Sequence, residues 1–267
     1  MLITDLSDFN LIHIFECGQC FRWNKDDNGV YKAVVGDFII TAKDTKNGVE
    51  ILCDDEDFIT EYFDLKRDYG KLKSLFSKDE ILSVATKHGY GIRLLHQQPF
   101  ETVISFIISA NNNIPRIKKI IESLCENFGE KIKGGYYKFP TAEVLSKLTV
   151  EDLSVIKSGF RAKYIIDASK KISSGEIDLD RIYEMNSQNG REYLKQIKGI
   201  GDKVADCILL FAYQKFDVFP KDVWIKKILH NLYNVEAKDF DLFIKDKFGE
   251  FGGFAQQYLF YYGREFI

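Results

Sequence analysis

The sequence predicts an α+β protein in which a small N-terminal antiparallel β-sheet precedes an all-helical body. From Gln19 to Cys53 apolar and polar residues alternate, as expected of half-buried strands. From Asp57 onward the apolar residues recur at helical spacing as far as the C-terminus. This change of period predicts a β-rich domain over residues 1–85 and a helical domain over residues 86–267. No low-complexity linker separates them, so we expect a packing boundary between the two.

Turn-forming residues divide the β-rich region. Asp26-Asp27-Asn28-Gly29 and Lys46-Asn47-Gly48 are typical of turns between antiparallel strands, and residues 30–40 form one alternating segment. In the second region, prolines before helix starts and glycines at helix ends punctuate the pattern. The predicted helices cover residues 57–66, 71–87, 99–111, 114–128, 141–148, 150–157, 162–173, 189–197, 202–214, 223–233, 238–249 and 253–266.

Composition and charge narrow the class of protein. An apolar fraction of 45% with 22 Phe and 14 Tyr in 267 residues is enough for a substantial core. A net charge of −3 and a pI near 5.9 give no global basic excess, so any surface that binds nucleic acid must be local. Local basic clusters do occur, although each alone is more often a solvated face. They lie at Arg116–Lys119, Lys131–Lys133, Arg161–Lys171 and Lys221–Lys227.

Cysteine usage and hydropathy exclude other classes. Five cysteines without a regular framework predict reduced thiols in a cytoplasmic protein. Cys17 and Cys20 lack a second pair at zinc spacing, and no cysteine follows Cys207, which excludes a C-terminal iron–sulfur cluster. We therefore predict no metal and no cofactor. The absence of a secretory leader and of an apolar run of membrane length predicts no membrane partner.

A short glycine-rich segment carries the first functional signal. Gly199 and Gly201 flank Ile200, between the apolar-periodic segment Tyr193–Ile197 and another that begins at Val204. This pattern predicts a tight hairpin joining two helices. The free N–H groups and positive dipole at the N-terminus of the second helix attract phosphate without regard to base sequence. The hairpin therefore predicts a grip on a nucleic-acid backbone.

Three side chains near the hairpin suggest chemistry. Lys203 falls in the first turn of the second helix, where the dipole disfavours a cation and should ease loss of its proton, and a neutral amine is a nucleophile toward an anomeric carbon. Cys207 shares its helical face, and Asp222 stands at a predicted N-cap. The simpler alternative stays open at this point: Asp222 only caps, Lys203 is solvated and Cys207 is core.

Together with these residues, four further motifs resemble those of the helix-hairpin-helix DNA glycosylase superfamily, and within it of the 8-oxoguanine DNA glycosylases. They occur in the family's order over nearly the whole chain, and their agreement is far more specific than any one of them. The motifs are Gly18-Gln19-Cys20-Phe21-Arg22-Trp23, Ser109-Ala110-Asn111-Asn112-Asn113-Ile114-Pro115-Arg116, Gly159-Phe160-Arg161-Ala162-Lys163-Tyr164 and Phe254-Ala255-Gln256-Gln257-Tyr258-Leu259-Phe260.

The resemblance implies an enzyme that extrudes 8-oxoguanine from double-stranded DNA and cleaves its glycosidic bond. It implies that Lys203 attacks the anomeric carbon and forms an imine, while Asp222 stabilises the cationic sugar. It also implies a base pocket, with the Gly18 carbonyl accepting from N7–H. The other residues assigned to that pocket are Cys207, Gln256 and Phe260.

The same resemblance assigns DNA contacts outside the base pocket. Asn111, Arg116 and Arg161 would bind the orphaned cytosine, Phe160 would wedge beside it, and the hairpin would bind phosphate through Gly199 and Gly201. A monomer at the nucleoid is implied, and the carbonyls around Ile197 and Ile200 offer a site for a monovalent cation.

Three positions depart from the family pattern, and two alternatives remain. Trp224 stands where animal relatives commonly have His, Phe160 replaces the usual Tyr, and Gly263 occupies a position that is often acidic. The first alternative is a glycosylase of the same superfamily that acts on other purine lesions. The second is a noncatalytic helix-hairpin-helix DNA-binding module, which would leave the pair Lys203 and Asp222 without a purpose.

Overall fold

The computed structural model describes residues 1–266 and contains the predicted sheet. Five antiparallel strands lie in the order β1-β5-β4-β3-β2. The first strand, which the alternation starting at Gln19 does not include, closes the edge by pairing Leu2 with Glu50. The strands are β1 (Leu2–Ile3), β2 (Asn24–Lys25), β3 (Tyr31–Val35), β4 (Phe38–Thr45) and β5 (Gly48–Leu52).

The chain reverses inside the alternating segment over residues 30–40, at a turn that the sequence analysis does not identify. Val35 pairs with Phe38, so β3 and β4 are joined by the two residues Gly36 and Asp37. Gly36 has a φ of 57°, which a residue with a side chain rarely adopts. The apolar pattern continues on both sides of this turn, and alternation alone therefore does not reveal it.

Helices make up the remainder, as predicted. The described chain forms α1 (Leu11–Phe15), α2 (Glu56–Tyr62), α3 (Tyr69–Phe76), α4 (Glu80–His88), α5 (Pro99–Ser109), α6 (Ile114–Phe128), α7 (Ala142–Leu145), α8 (Ala162–Ser173), α9 (Ser187–Leu194), α10 (Asp202–Tyr213), α11 (Val223–Asn231), α12 (Phe240–Phe248) and α13 (Gly252–Phe266). Short 3₁₀ turns connect several of them, including Asp152–Ile156 in place of the helix predicted over residues 150–157. Within residues 1–266, every helix is too short or too polar to cross a membrane.

Two helix predictions need correction. The helix predicted over residues 71–87 is two helices, because the Asp79 carboxylate accepts a hydrogen bond from the Leu82 N–H (2.7 Å) and starts α4 anew. Helix α1 is missing from the prediction, since five residues are too few to establish a period.

Two apolar clusters form the core. The smaller one joins the sheet to α1 and α2, and the larger one contains residues of α3 to α13. Buried Gln19 links the two regions, since its amide donates to the Arg93 carbonyl (2.8 Å) and accepts from the Leu95 N–H (2.9 Å). The division of the chain at residue 85 stays a prediction. Helix α3 precedes residue 85, yet it packs in the larger cluster with the helices that follow that residue.

Candidate active site

The glycine hairpin lies between α9 and α10, where the sequence predicts it. Gly199 has a φ of 88°, whereas Gly201 has a φ of −102° and is the N-cap of α10. Within residues 1–266 no side chain caps this helix, so its first N–H groups have no side-chain acceptor there. The hairpin thus presents the donors that a phosphate needs.

The two glycines should respond differently to substitution. A Cβ on Gly199 would lie 2.6 Å from Cγ of Tyr164, and its positive φ adds backbone strain of about 1–3 kcal/mol. A Cβ on Gly201 would meet nothing within 4 Å. We expect Gly199→Ala to lower both the free energy of unfolding and DNA affinity, and Gly201→Ala, which adds neither the clash nor the strain, to lower both by less. Urea unfolding and binding to undamaged duplex measure this, and equal losses in both variants would contradict it.

Lys203 has its amino group over an aromatic ring. Its Nζ lies 5.4 Å from the ring centroid of buried Phe106. The two aspartates on its own helix are paired elsewhere, Asp202 with Lys195 (2.8 Å) and Asp206 with Arg191 (2.6 Å). The Lys203 amine therefore remains available to a substrate.

Asp222 both caps a helix and lines the cavity. It is the N-cap of α11, where its carboxylate accepts from the Ile225 N–H at 2.8 Å, and it also lines the cavity that contains Lys203. Burial raises the pKa of Asp222 above its ordinary value, against hydrogen bonding and the charge of Lys203, which lower it. The cap is confirmed, and it places the carboxyl group beside the amine.

The cavity has a volume of about 860 Å³, which is ample for an extruded nucleoside. It brings together half of the predicted site residues from five separate parts of the chain. These are Gly18, Asn111, Arg116, Lys203, Asp222 and Phe260. The other six predicted residues lie outside its lining.

Gly18 and Phe260, to which the sequence analysis assigns base binding, form one end of the cavity, called here the base-binding end. Gly18 has a φ of 81°, and a Cβ there would lie 3.0 Å from Cε1 of Phe260. Gln256 lies one helical turn before Phe260 and is only 5% exposed, yet its Oε1 has no hydrogen-bond partner within the described chain. Since a buried acceptor without a partner is costly, this oxygen is suited to a ligand donor. Cys207 is buried too, and burial raises its pKa to about 11, so it stays a neutral thiol.

Two residues that the sequence interpretation missed hold the Gly18 loop against α13. Gln257 donates to the Cys17 carbonyl (2.8 Å), and Arg264 donates to the Glu16 carbonyl (3.0 Å). Arg264 also lines the cavity. A basic residue one helical turn beyond Phe260 was the available signal, although such spacing alone is common.

The three asparagines between α5 and α6 divide their tasks. Asn112 donates to the Ile108 carbonyl (3.1 Å), and Asn113 caps α6 by accepting from the Arg116 N–H (3.0 Å). Asn111 is exposed in the left-handed conformation, with a φ of 56°. Of the three, Asn111 is the one whose side chain makes no hydrogen bond within the described chain, as its predicted contact with DNA requires.

Arg161 and Phe160 differ in exposure. Arg161 is buried, and its guanidinium donates to the carbonyls of Ala110 (2.8 Å) and Asn111 (2.9 Å). In this state the arginine supports the Asn111 loop and faces away from solvent. Phe160 is 53% exposed beside it, with its ring centroid 4.5 Å from the guanidinium carbon. An exposed aromatic side chain next to a polar loop suits insertion into a base stack.

The described residues contain no cluster of three or more His, Cys, Asp or Glu side chains that could hold a metal ion.

Lysine and carboxylate in one nucleoside-sized cavity, next to a phosphate-binding hairpin, define a DNA-processing enzyme of the helix-hairpin-helix class. Comparison with known proteins specifies the family. Residues 1–103 match the 8-oxoguanine DNA glycosylase N-terminal domain, and residues 104–248 match the HhH-GPD superfamily of base excision DNA repair proteins. The chain belongs to the HhH-GPD superfamily of base excision DNA repair proteins, and its N-terminal domain is that of the 8-oxoguanine DNA glycosylases.

Individual relatives agree with this assignment. The N-glycosylase/DNA lyase of Saccharomyces cerevisiae is 33% identical over 88% of this chain and 71% of its own length. The Clostridium acetobutylicum 8-oxoguanine glycosylase/lyase, in complex with double-stranded DNA containing cytosine opposite 8-oxoG, is 44% identical with a TM-score of 0.92, over 97% of this chain and 93% of that one. MBOgg1, in complex with a low-affinity DNA ligand, is 46% identical with a TM-score of 0.94, over 99% of this chain and 95% of that one.

Proposed function

We propose that this protein is a bifunctional DNA glycosylase and AP lyase that excises 8-oxoguanine from duplex DNA, opposite cytosine, in base excision repair. One observation carries the proposal: Lys203, Asp222 and Phe260 line a single nucleoside-sized cavity. The family match supports the activity, and the relatives named glycosylase/lyase support the combination of two steps. A glycosylase without the lyase step would need only the carboxylate.

The chemistry follows from the free amine. Neutral Lys203 Nζ forms a bond to C1′ while the bond from C1′ to N9 of the base breaks, and the base departs with that electron pair and gains a proton. Opening of the sugar ring converts the adduct to an imine. Loss of a C2′ proton then expels the 3′ phosphate by β-elimination, which nicks the strand and requires no oxidant. Asp222 stabilises the positive charge that develops on the sugar and assists proton transfer.

Recognition of the lesion depends on hydrogen-bond donors. 8-oxoguanine has an N7–H that guanine lacks. Gly18 lines the cavity, and we assign its carbonyl to accept that N7–H. The free Oε1 of Gln256 suits the donors of the Watson–Crick edge, and Phe260 offers a ring for stacking.

A glycosylase for other purine lesions is the second candidate from the sequence. Excision assays on duplexes with 8-oxoguanine or 3-methyladenine separate them: we expect excision of the first alone.

We assign contact with the opposite cytosine to Arg116 and Asn111, with Phe160 as the wedge. Arg161 joins this group by supporting the Asn111 loop in the free protein, and its own contact with cytosine stays a prediction. The arginine N–H donors complement the N3 and O2 acceptors of cytosine.

Arg116→Ala should reduce the preference for cytosine over adenine opposite the lesion by about 1–3 kcal/mol, the value of one good base-edge contact. Lys119→Ala, at an exposed position outside the cavity lining and nearly one helical turn away, is the matched control and should keep the wild-type preference. Single-turnover excision from the two duplexes measures it. Equal excision opposite all four bases by the wild type would remove the cytosine-binding role while leaving the glycosylase assignment intact.

We further propose that the protein acts as a monomer on genomic DNA, at the nucleoid in the cytoplasm. Backbone carbonyls around Ile197 and Ile200, at the hairpin, are proposed to bind a monovalent cation. Neither proposal alters the roles of Lys203 and Asp222.

A further inference from the structure

Arg264 is placed at the mouth of the cavity by contacts with both walls of the base-binding end. It is exposed in the last turn of α13, and its guanidinium carbon lies 5.6 Å from the ring centroid of Phe260, one helical turn earlier. Its Nη1 donates to the Glu16 carbonyl, two residues before Gly18. The guanidinium is thus held beside the position that an extruded base would occupy.

This guanidinium carries spare hydrogen-bonding capacity and an unneutralised charge. An arginine has five N–H donors, and within the described chain Arg264 donates to one carbonyl and forms no ion pair. Lys221, another cation of the cavity lining, is paired with Asp241. Asp222 is the only carboxylate among the lining residues of the described chain, and burial raises its pKa while the charges of Lys203 and Arg264 act in the opposite direction.

The part of the lining that comes from the start of α11 is mostly apolar, and its one cation is the exposed Lys226, which lacks the fork of an arginine. Val223 and Trp224, at the start of α11, line the cavity with apolar side chains, and Val223 is strongly exposed. An extruded nucleotide brings its flanking phosphates to this rim together with the sugar. The planar fork of an arginine fits a phosphate through paired N–H donors.

We propose that Arg264 binds the backbone phosphate that adjoins the extruded nucleotide and thereby determines affinity for the extruded state. The inference rests on the proposed function and adds a residue that contacts substrate outside the lysine and aspartate chemistry. It requires that Arg264 contribute to binding of lesion-containing duplex and contribute little to undamaged duplex, in which no nucleotide enters the cavity.

The test uses the full chain with Lys203→Gln as background, so that DNA remains uncleaved during titration. Adding Arg264→Gln should weaken binding of 8-oxoguanine duplex about tenfold and reduce the slope of log affinity against log salt by about 1, the signature of one lost phosphate contact. Binding of undamaged duplex should change less than about twofold. Arg181→Gln is the matched control, because Arg181 is an exposed arginine over a tyrosine ring (5.8 Å) outside the cavity.

Neutral methylphosphonates placed singly on either side of the lesion identify the contact. At one of the two positions, the substitution should weaken binding by the Arg264 protein but hardly change binding by Arg264→Gln. Arg264→Lys, which keeps the charge and loses the fork, should fall between the two, and thermal unfolding shows whether all variants fold alike.

Equal methylphosphonate losses with and without Arg264 at both positions would overturn the proposal, as would equal weakening on damaged and undamaged duplex. A contact with the base itself would appear as weaker lesion binding that no methylphosphonate mimics, and it also overturns the phosphate assignment. Failure of wild-type enzyme to excise 8-oxoguanine would instead refute the proposed function, so the two failures are distinguishable.

Discussion

Lys203→Gln should abolish strand nicking and lower excision of 8-oxoguanine by about 10³-fold or more, because glutamine has no amine to attack C1′. Binding of lesion-containing duplex should remain, since the phosphate grip of the hairpin depends on backbone N–H groups at the N-terminus of α10. Gel assays of nicking and single-turnover release of the free base measure the two activities.

Lys226→Gln provides the matched control for this experiment. Lys226 also lines the cavity, and its side chain is exposed on α11. We expect this variant to nick DNA and release the base at rates close to wild type. Loss of nicking in Lys226→Gln together with retention in Lys203→Gln would show that Lys203 is not the nucleophile.

Asp222→Asn should reduce single-turnover excision by about two or more orders of magnitude, because it removes the negative charge that faces the cationic sugar. Its effect on the fold should be small, since asparagine caps helices nearly as well as aspartate. We expect the free energy of unfolding to change by less than about 1 kcal/mol. An excision rate near wild type would reduce Asp222 to the structural cap that its bond with Ile225 already shows.

The acid limb of the wild-type pH profile checks the same residue. Burial raises the pKa of Asp222 above the ordinary value of 3.8, and excision requires the ionised form. Activity should therefore fall with decreasing pH at a value above 3.8, and Asp222→Asn should lose that limb. The comparison of the two proteins, rather than the wild-type profile alone, isolates the contribution of Asp222.

The sequence predicted features that depend on local patterns. Alternation identified the sheet, and the helical period identified most of the body, while two glycines between apolar segments located the hairpin that the structure places before α10. Motif order placed Lys203, Asp222 and Phe260, which now line one cavity. These features were predictable because spacing along one element determines which side chains share a face.

Features that depend on contacts between distant segments were not predictable. Burial of Arg161 against the Asn111 carbonyl joins segments 50 residues apart, and an exposed arginine looks the same in sequence. The unpaired Oε1 of Gln256 is evident only when its surroundings are known. The contact between Arg264 and Glu16 spans 248 residues, and no periodicity encodes it.

Mapping the covalent adduct tests the central claim most directly. Wild-type enzyme is incubated with duplex containing 8-oxoguanine opposite cytosine, borohydride reduces the imine, and mass spectrometry of the digested complex locates the modified residue. We predict a reduced sugar adduct on Lys203 and its absence from guanine-containing duplex. An adduct on another lysine, or excision with no trapped adduct at all, would contradict the account.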